Sequence, residues 1–181
     1  VYEADGTAQI VAEKNLSPLK IKDGEFSFTL TQVNEDGTEL TGGYTQKSVT
    51  NVGSSVIFKP ISYTAADIGK TYYYTVKEDK PDEIPKGYEY SNDVYRVTIT
   101  IGEAEGKDNK LTVTKQIAKE GSEDPVDTIV FYNTYKATGS IELTGKKEVK
   151  DFTGELKDGA FNFIVTENGE KVATGKNDKD G

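Results

Sequence analysis

No cysteine, histidine, methionine or tryptophan occurs anywhere in the 181 residues. Without cysteine there are no disulfides, thiolate nucleophiles or zinc–thiolate sites. Without histidine there is no Ser-His-Asp triad, no imidazole base and none of the commonest transition-metal ligand. Most familiar enzyme chemistry is thereby excluded. Basic residues are also in deficit: 22 Lys and Arg stand against 31 Asp and Glu, a net charge of −9. That balance argues against nucleic acid as a partner, because phosphate binding needs a basic patch. No run of ~18 apolar residues is present to span a membrane. No secretory leader opens the chain at Val1 and no sorting tail closes it at Gly181. Avoidance of cysteine suits the cytosol and many bacterial surface proteins alike.

What is present is period-two alternation bounded by turn residues, the mark of half-buried strands. Residues 7–16 place Ile10, Ala12, Lys14 and Leu16 on one face, and residues 25–33 place Phe26, Phe28 and Leu30 on one face. A turn at Asn34-Glu35-Asp36-Gly37 follows, and Val56 and Phe58 share the next face. Residues 71–79 present Tyr72, Tyr74, Val76 and Glu78, and residues 94–102 present Tyr95, Val97, Ile99 and Ile101. After a turn at Gly106-Lys107-Asp108-Asn109 come Leu111, Val113 and Ile117, and lastly Ile129, Phe131 and Asn133. Ala65-Ala66-Asp67-Ile68-Gly69 reads as a single helical turn. The pattern predicts an all-β, immunoglobulin-like β-sandwich, with 11 Tyr and 7 Phe supplying its core.

The chain also repeats itself. Tyr135-Lys136-Ala137-Thr138-Gly139-Ser140 echoes Tyr2-Glu3-Ala4-Asp5-Gly6-Thr7, and at the same offset Leu143 matches Ile10 and Lys147 matches Lys14. Asp158-Gly159-Ala160-Phe161-Asn162-Phe163 echoes Asp23-Gly24-Glu25-Phe26-Ser27-Phe28 after a two-residue insertion. The period is that of a domain, longer than the 20–50 residues of a solenoid repeat. The expectation is tandem domains: residues 1–136 form a complete unit, and 137–181 are the N-terminal part of a second copy that stops before its middle and last strands.

Lys14, Glu78 and Asn133 fall where the alternation predicts inward side chains. Unpaired buried polar groups are costly, so three of them on separate strands should meet. One reading is a buried Lys–Glu ion pair with Asn133 satisfying the remaining hydrogen-bond capacity; another is that some of the three are exposed. A third is a self-made covalent bond. Burial favours the neutral forms of both Lys and Glu, and a neutral amine is nucleophilic. A protonated Glu78 could donate to the Asn133 carboxamide oxygen and then shuttle protons to the leaving ammonia.

The segments Val11-Ala12-Glu13-Lys14-Asn15-Leu16, Tyr72-Tyr73-Tyr74-Thr75-Val76-Lys77-Glu78 and Ile129-Val130-Phe131-Tyr132-Asn133 resemble signature strands of the isopeptide-linked domains of Gram-positive pilins. The likeness is to the streptococcal major (backbone) pilin family in particular. It extends to Gly24-Glu25-Phe26-Ser27-Phe28 and to residues 61–69, so it covers the first unit. The resemblance implies a Lys14–Asn133 isopeptide cross-link, with Glu78 as the proton shuttle. Lys147 matches the reactive Lys in the second unit, where no Glu or Asn counterpart follows, so it should remain a free amine.

The resemblance also implies an extracellular protein at the bacterial cell surface, anchored to the cell wall through parts outside these residues. It implies a structural stalk rather than an enzyme, with single-turnover bond formation as its one reaction. The expected partners are neighbouring domains of the same array, other pilin subunits or a host surface. The alternative is an adhesin domain binding a host protein or glycan through loops such as 34–54 or 79–93, since fold alone does not settle function. No cofactor or metal site is expected. Asp178-Lys179-Asp180-Gly181 lacks the further acidic ligands of a calcium loop, and Asn34–Gly37 is a hairpin turn. Tyr72-Tyr73-Tyr74 reads as core, with two of the three inward, rather than a platform for sugars. Acidic runs at 103–105 and 120–124 read as solvated loops.

Overall fold

A computed structural model describes residues 4–104, 109–122 and 124–181. The chain divides into two compact units, Val1–Ala137 and Thr138–Gly181. The first holds strands β1 (Asp5–Ala8), β2 (Val11–Ser17), β3 (Ser27–Val33), β4 (Thr45–Thr50), β5 (Ser55–Ile57) and β6 (Ile61–Thr64). After a 3-10 turn at Ala65–Asp67 come β7 (Thr71–Asp79), β8 (Tyr88–Glu89), β9 (Val94–Ala104), β10 (Leu111–Lys119) and β11 (Ile129–Tyr135). Among the described residues the chain is all-β apart from that turn, as the alternation predicts.

Two sheets form the body of the first unit: five strands in the order β10-β9-β7-β3-β4, and four in the order β5-β2-β11-β8. Their inner faces supply one core. Phe28 and Leu30 from β3, Val76 from β7, and Val97, Ile99 and Ile101 from β9 meet Ala12 from β2 and Ile129 and Phe131 from β11. The Phe131 ring lies between the sheets, 5.2 Å from Phe28 and 5.3 Å, edge-on, from Tyr95. This is a β-sandwich, with inward residues two apart along each strand.

The long strand expected over residues 7–16 is two strands. β1 pairs with β6 in a separate small sheet, and the chain then crosses at Gln9–Ile10 into β2. Gln9 stabilises the crossing by donating from its side chain to the Phe58 carbonyl. β4, β6 and β8 have no counterpart among the seven expected runs. β4 carries a single apolar residue, Val49, and its Ser48 has a positive φ of 56° beside a break in the β3–β4 register. β6 is four residues long and β8 two, too short to show a period. Of the three tyrosines, only Tyr74 is buried; Tyr72 and Tyr73 are half-buried. Of the turn expected at Gly106–Asn109, residues 106–108 lie outside the described residues.

In the second unit, β12 (Asn162–Glu167) and β13 (Glu170–Lys176) form a hairpin. Its turn is Asn168-Gly169 with φ of 50° and 88°, the Asn-Gly signature of a tight hairpin. Around Ile141 and Leu143, where the repeat places the counterpart of the run that carries Ile10, no strand forms. These residues are 81% and 63% exposed. A strand is stable only against a neighbour, and the hairpin does not supply one here.

Candidate functional site

The site lies between the two sheets at the end of the core. Lys14 comes from β2 and Asn133 from β11, which run parallel side by side in the four-stranded sheet. In their register Lys14 stands opposite Phe131, so Asn133 follows two residues along the same inward face. Glu78 descends from β7 in the opposite sheet, at the register position facing Phe28. Lys14, Glu78 and Asn133 are 0%, 5% and 1% exposed.

The three side chains touch through Glu78. Lys14 Nζ lies 2.9 Å from Oε1 and 3.0 Å from Oε2. Asn133 Nδ2 donates to Oε1 at 2.8 Å. Asn133 Oδ1 accepts from the Ser91 backbone N–H at 2.7 Å. Among the described residues no buried side-chain nitrogen or oxygen lacks a partner, which is what burial of three polar groups requires. Phe26 closes the outer side, its ring centroid 4.6 Å from Lys14 Nζ, and Tyr90 packs edge-on against Phe26 at 5.6 Å.

Burial governs the electrostatics. It pushes the Lys14 amine below its ordinary value, against the pull of the Glu78 carboxylate. It pushes the Glu78 carboxyl up, against the hydrogen bonds from Lys14 and Asn133 and the Ser91 backbone N–H. Both shifts favour the pair in which Lys14 is a free amine and Glu78 a carboxylic acid. A neutral amine beside a carboxamide and an acid is the set of groups an amide exchange needs.

One detail differs from the sequence argument, which aims the Glu78 proton at the Asn133 oxygen. That oxygen is taken by Ser91, and Glu78 faces the amide nitrogen instead. Ser91 acts through its backbone N–H, so no side-chain pattern could have pointed to it.

Asn51 is a second buried polar residue without a sequence signal. Fully buried, it accepts from Phe26 N–H through Oδ1 at 2.9 Å and donates to the Lys22 and Gly53 carbonyls, both at 2.8 Å. Its neighbours Val52-Gly53 make it look like a turn residue. In the second unit Asn177 does the same. It accepts from Phe161 N–H at 2.8 Å and donates to the Lys157 carbonyl at 3.0 Å and the Asp178 carbonyl at 2.8 Å. Lys147 Nζ lies 4.9 Å from the Phe161 ring centroid.

No helix among the described residues is long and apolar enough to cross a membrane. No described cluster of three or more acidic residues is placed to hold a metal ion.

Fold and site together define an all-β sandwich domain whose first and last core strands meet at a buried Lys–Glu–Asn cluster. Residues 10–136 match the family model described as FctA, Spy0128-like isopeptide containing domain, and the chain belongs to that family. No curated protein matches it. Among solved structures it is similar to the major pilin of Streptococcus pyogenes at 20% identity, with 97% of this chain and 72% of that chain covered and a TM-score of 0.42. Two single-alanine mutants of that pilin match over the same shares, at 20% and 19% identity with TM-scores of 0.40 and 0.44.

Proposed function

We propose that the first unit is a load-bearing domain of a Gram-positive pilus shaft or surface stalk, tied by a Lys14–Asn133 isopeptide bond that it makes itself. The observation that carries this reading is the continuous Lys14–Glu78–Asn133 contact inside the core. The reaction joins Lys14 Nζ to Asn133 Cγ and releases Nδ2 as ammonia, with Glu78 relaying the proton. It occurs once per molecule, so the domain is a structural element and not an enzyme. Its setting is extracellular, at the cell surface, and its partners are neighbouring domains and other pilin subunits.

The mechanical logic follows from the register. β2 and β11 are parallel neighbours, so tension entering through β2 and leaving through β11 shears them past each other. A covalent tie there carries the load past some 120 intervening residues, whose loop it also closes, removing entropy from the unfolded chain.

Residues 137–181 open a second copy of the unit, with Lys147 as the counterpart of Lys14. The support is geometric as well as sequential: Lys147 lies over Phe161 as Lys14 lies over Phe26, and Asn177 repeats the Asn51 hydrogen bonds.

Pulling single molecules of the full chain by its two ends tests the function. The parent should withhold the segment between Lys14 and Asn133, roughly 400 Å of contour at full extension, which Glu78→Ala should release. Equal extension of the two would contradict the reading.

A further inference from the structure

The geometry points to the backbone N–H of Ser91 as the oxyanion donor of the coupling reaction, with Glu78 serving the attacking and departing nitrogens; this rests on Lys14 and Asn133 being the coupled pair. A backbone amide can only donate through its nitrogen, so the carboxamide atom 2.7 Å from Ser91 N must be oxygen. That assignment turns Nδ2 toward Glu78 Oε1, at 2.8 Å. Ser91 N–H is the donor found on Oδ1, at 2.7 Å, and it also lies near enough to the Glu78 carboxyl to favour its charged form.

The orientation is built by the strands. β8 pairs with β11 through Tyr135↔Tyr88 and Thr134↔Glu89. The chain then leaves the ladder, and Ser91 N–H turns to the side chain of Asn133. Asp93 N–H donates to Ser91 Oγ at 3.1 Å and holds the loop. Tyr90, packed on Phe26, fixes it from the other side.

The step then balances as follows. The neutral Lys14 amine attacks Asn133 Cγ, and the carbonyl electron pair moves onto Oδ1, where Ser91 N–H receives the charge. Protonated Glu78 gives its proton to Nδ2 and takes one from Nζ, which lies 3.0 Å from Oε2. The electron pair on Oδ1 then re-forms the carbonyl as the Cγ–Nδ2 bond breaks, its own pair leaving on ammonia. One primary amine and one primary amide become one secondary amide and ammonia, with no other reactant. A fixed donor at the developing oxyanion needs no reorganisation as charge builds, and removing one such donor typically slows acyl transfer by roughly 100-fold or more.

The test replaces Ser91 in the full chain by its α-hydroxy counterpart, using suppression of a nonsense codon during cell-free synthesis. This swaps one N–H for an ester oxygen and keeps the side chain. Ammonia loss is followed by intact mass against time, and folding by near-UV circular dichroism. We expect bond formation in the ester chain slowed by roughly 100-fold relative to the parent. A folded ester chain reacting at the parent rate overturns the role of Ser91 and leaves the Lys14–Asn133 bond standing. A parent that never loses ammonia overturns the bond itself. Should the ester chain not fold, the unreacted Glu78→Ala chain gives an independent readout. Its Ser91 amide should show scalar coupling across the hydrogen bond to Asn133 Cγ, and absence of that coupling overturns the assignment.

Discussion

Lys14 stands opposite Phe131 in the parallel pairing of β2 with β11, so the Phe131 ring occupies the core and Asn133 is delivered beside the Lys14 amine. A one-residue slip in that register would turn Asn133 to solvent and leave the buried Lys14–Glu78 pair without the amide. Phe131 therefore sets the register on which the chemistry depends, packed as it is between Phe28 and Tyr95.

Lys14→Ala should unfold well below the parent. Loss of a tie closing a loop of some 120 residues corresponds to about 5 kcal/mol by the chain-entropy argument used for disulfides. For a domain of this size that is roughly 15 °C in melting temperature. Calorimetry and limited proteolysis check it. Equal melting and equal protease resistance would mean the tie is not what stabilises the fold.

An unreacted chain should be least stable near neutral pH. In Asn133→Ala the Lys14–Glu78 pair remains and cannot couple. Glu78, raised by burial, binds more protons folded than unfolded above its ordinary 4.5, so stability falls as pH rises through that window. Lys14, lowered by burial, binds fewer protons folded than unfolded below its ordinary 10.5, so stability rises as pH climbs back toward that value. Urea denaturation across pH should show this dip relative to the same chain carrying Lys14→Met and Glu78→Gln. Coincident profiles would contradict it.

Asn51→Ala should cost about 3 kcal/mol, since Phe26 N–H and the Lys22 carbonyl lose their partner where the β2–β3 connection meets the β4–β5 turn. Chemical denaturation measures it, and a loss under 1 kcal/mol would show that water replaces the side chain. Asn177→Ala should likewise loosen the β12–β13 hairpin, read as faster amide exchange at Phe161.

The strands that bury a full alternating face were legible in the sequence: Phe26-Phe28-Leu30, Tyr95-Val97-Ile99-Ile101 and Ile129-Phe131 all point inward. So were Lys14, Glu78 and Asn133, because a polar residue in an apolar phase is conspicuous. Edge and bridging strands such as β4 and β8 were not, since nothing packs on both their faces. Ser91 was hidden because a backbone donor has no residue type, and Asn51 because a polar residue next to a glycine turn looks solvated. Around Ile141 and Leu143 the repeat places a strand that does not form: alternation describes a face able to be buried, and burial needs a second sheet.

Lys147 should be open to amine reagents. It is half-buried over Phe161, whereas Lys14 is fully enclosed. Acetylation followed by peptide mapping should find Lys147 modified and Lys14 untouched in the folded chain. Protection of Lys147 would contradict its assignment as a free amine.

The most direct measurement of the central claim is the intact mass of the folded parent, followed by fragmentation of its digest. The account predicts a mass below that of the sequence by one ammonia, not two, with the peptides containing Lys14 and Asn133 found joined. Glu78→Ala should show the full sequence mass. A well-folded parent at the full sequence mass, with Lys14 and Asn133 in separate peptides, would contradict the account.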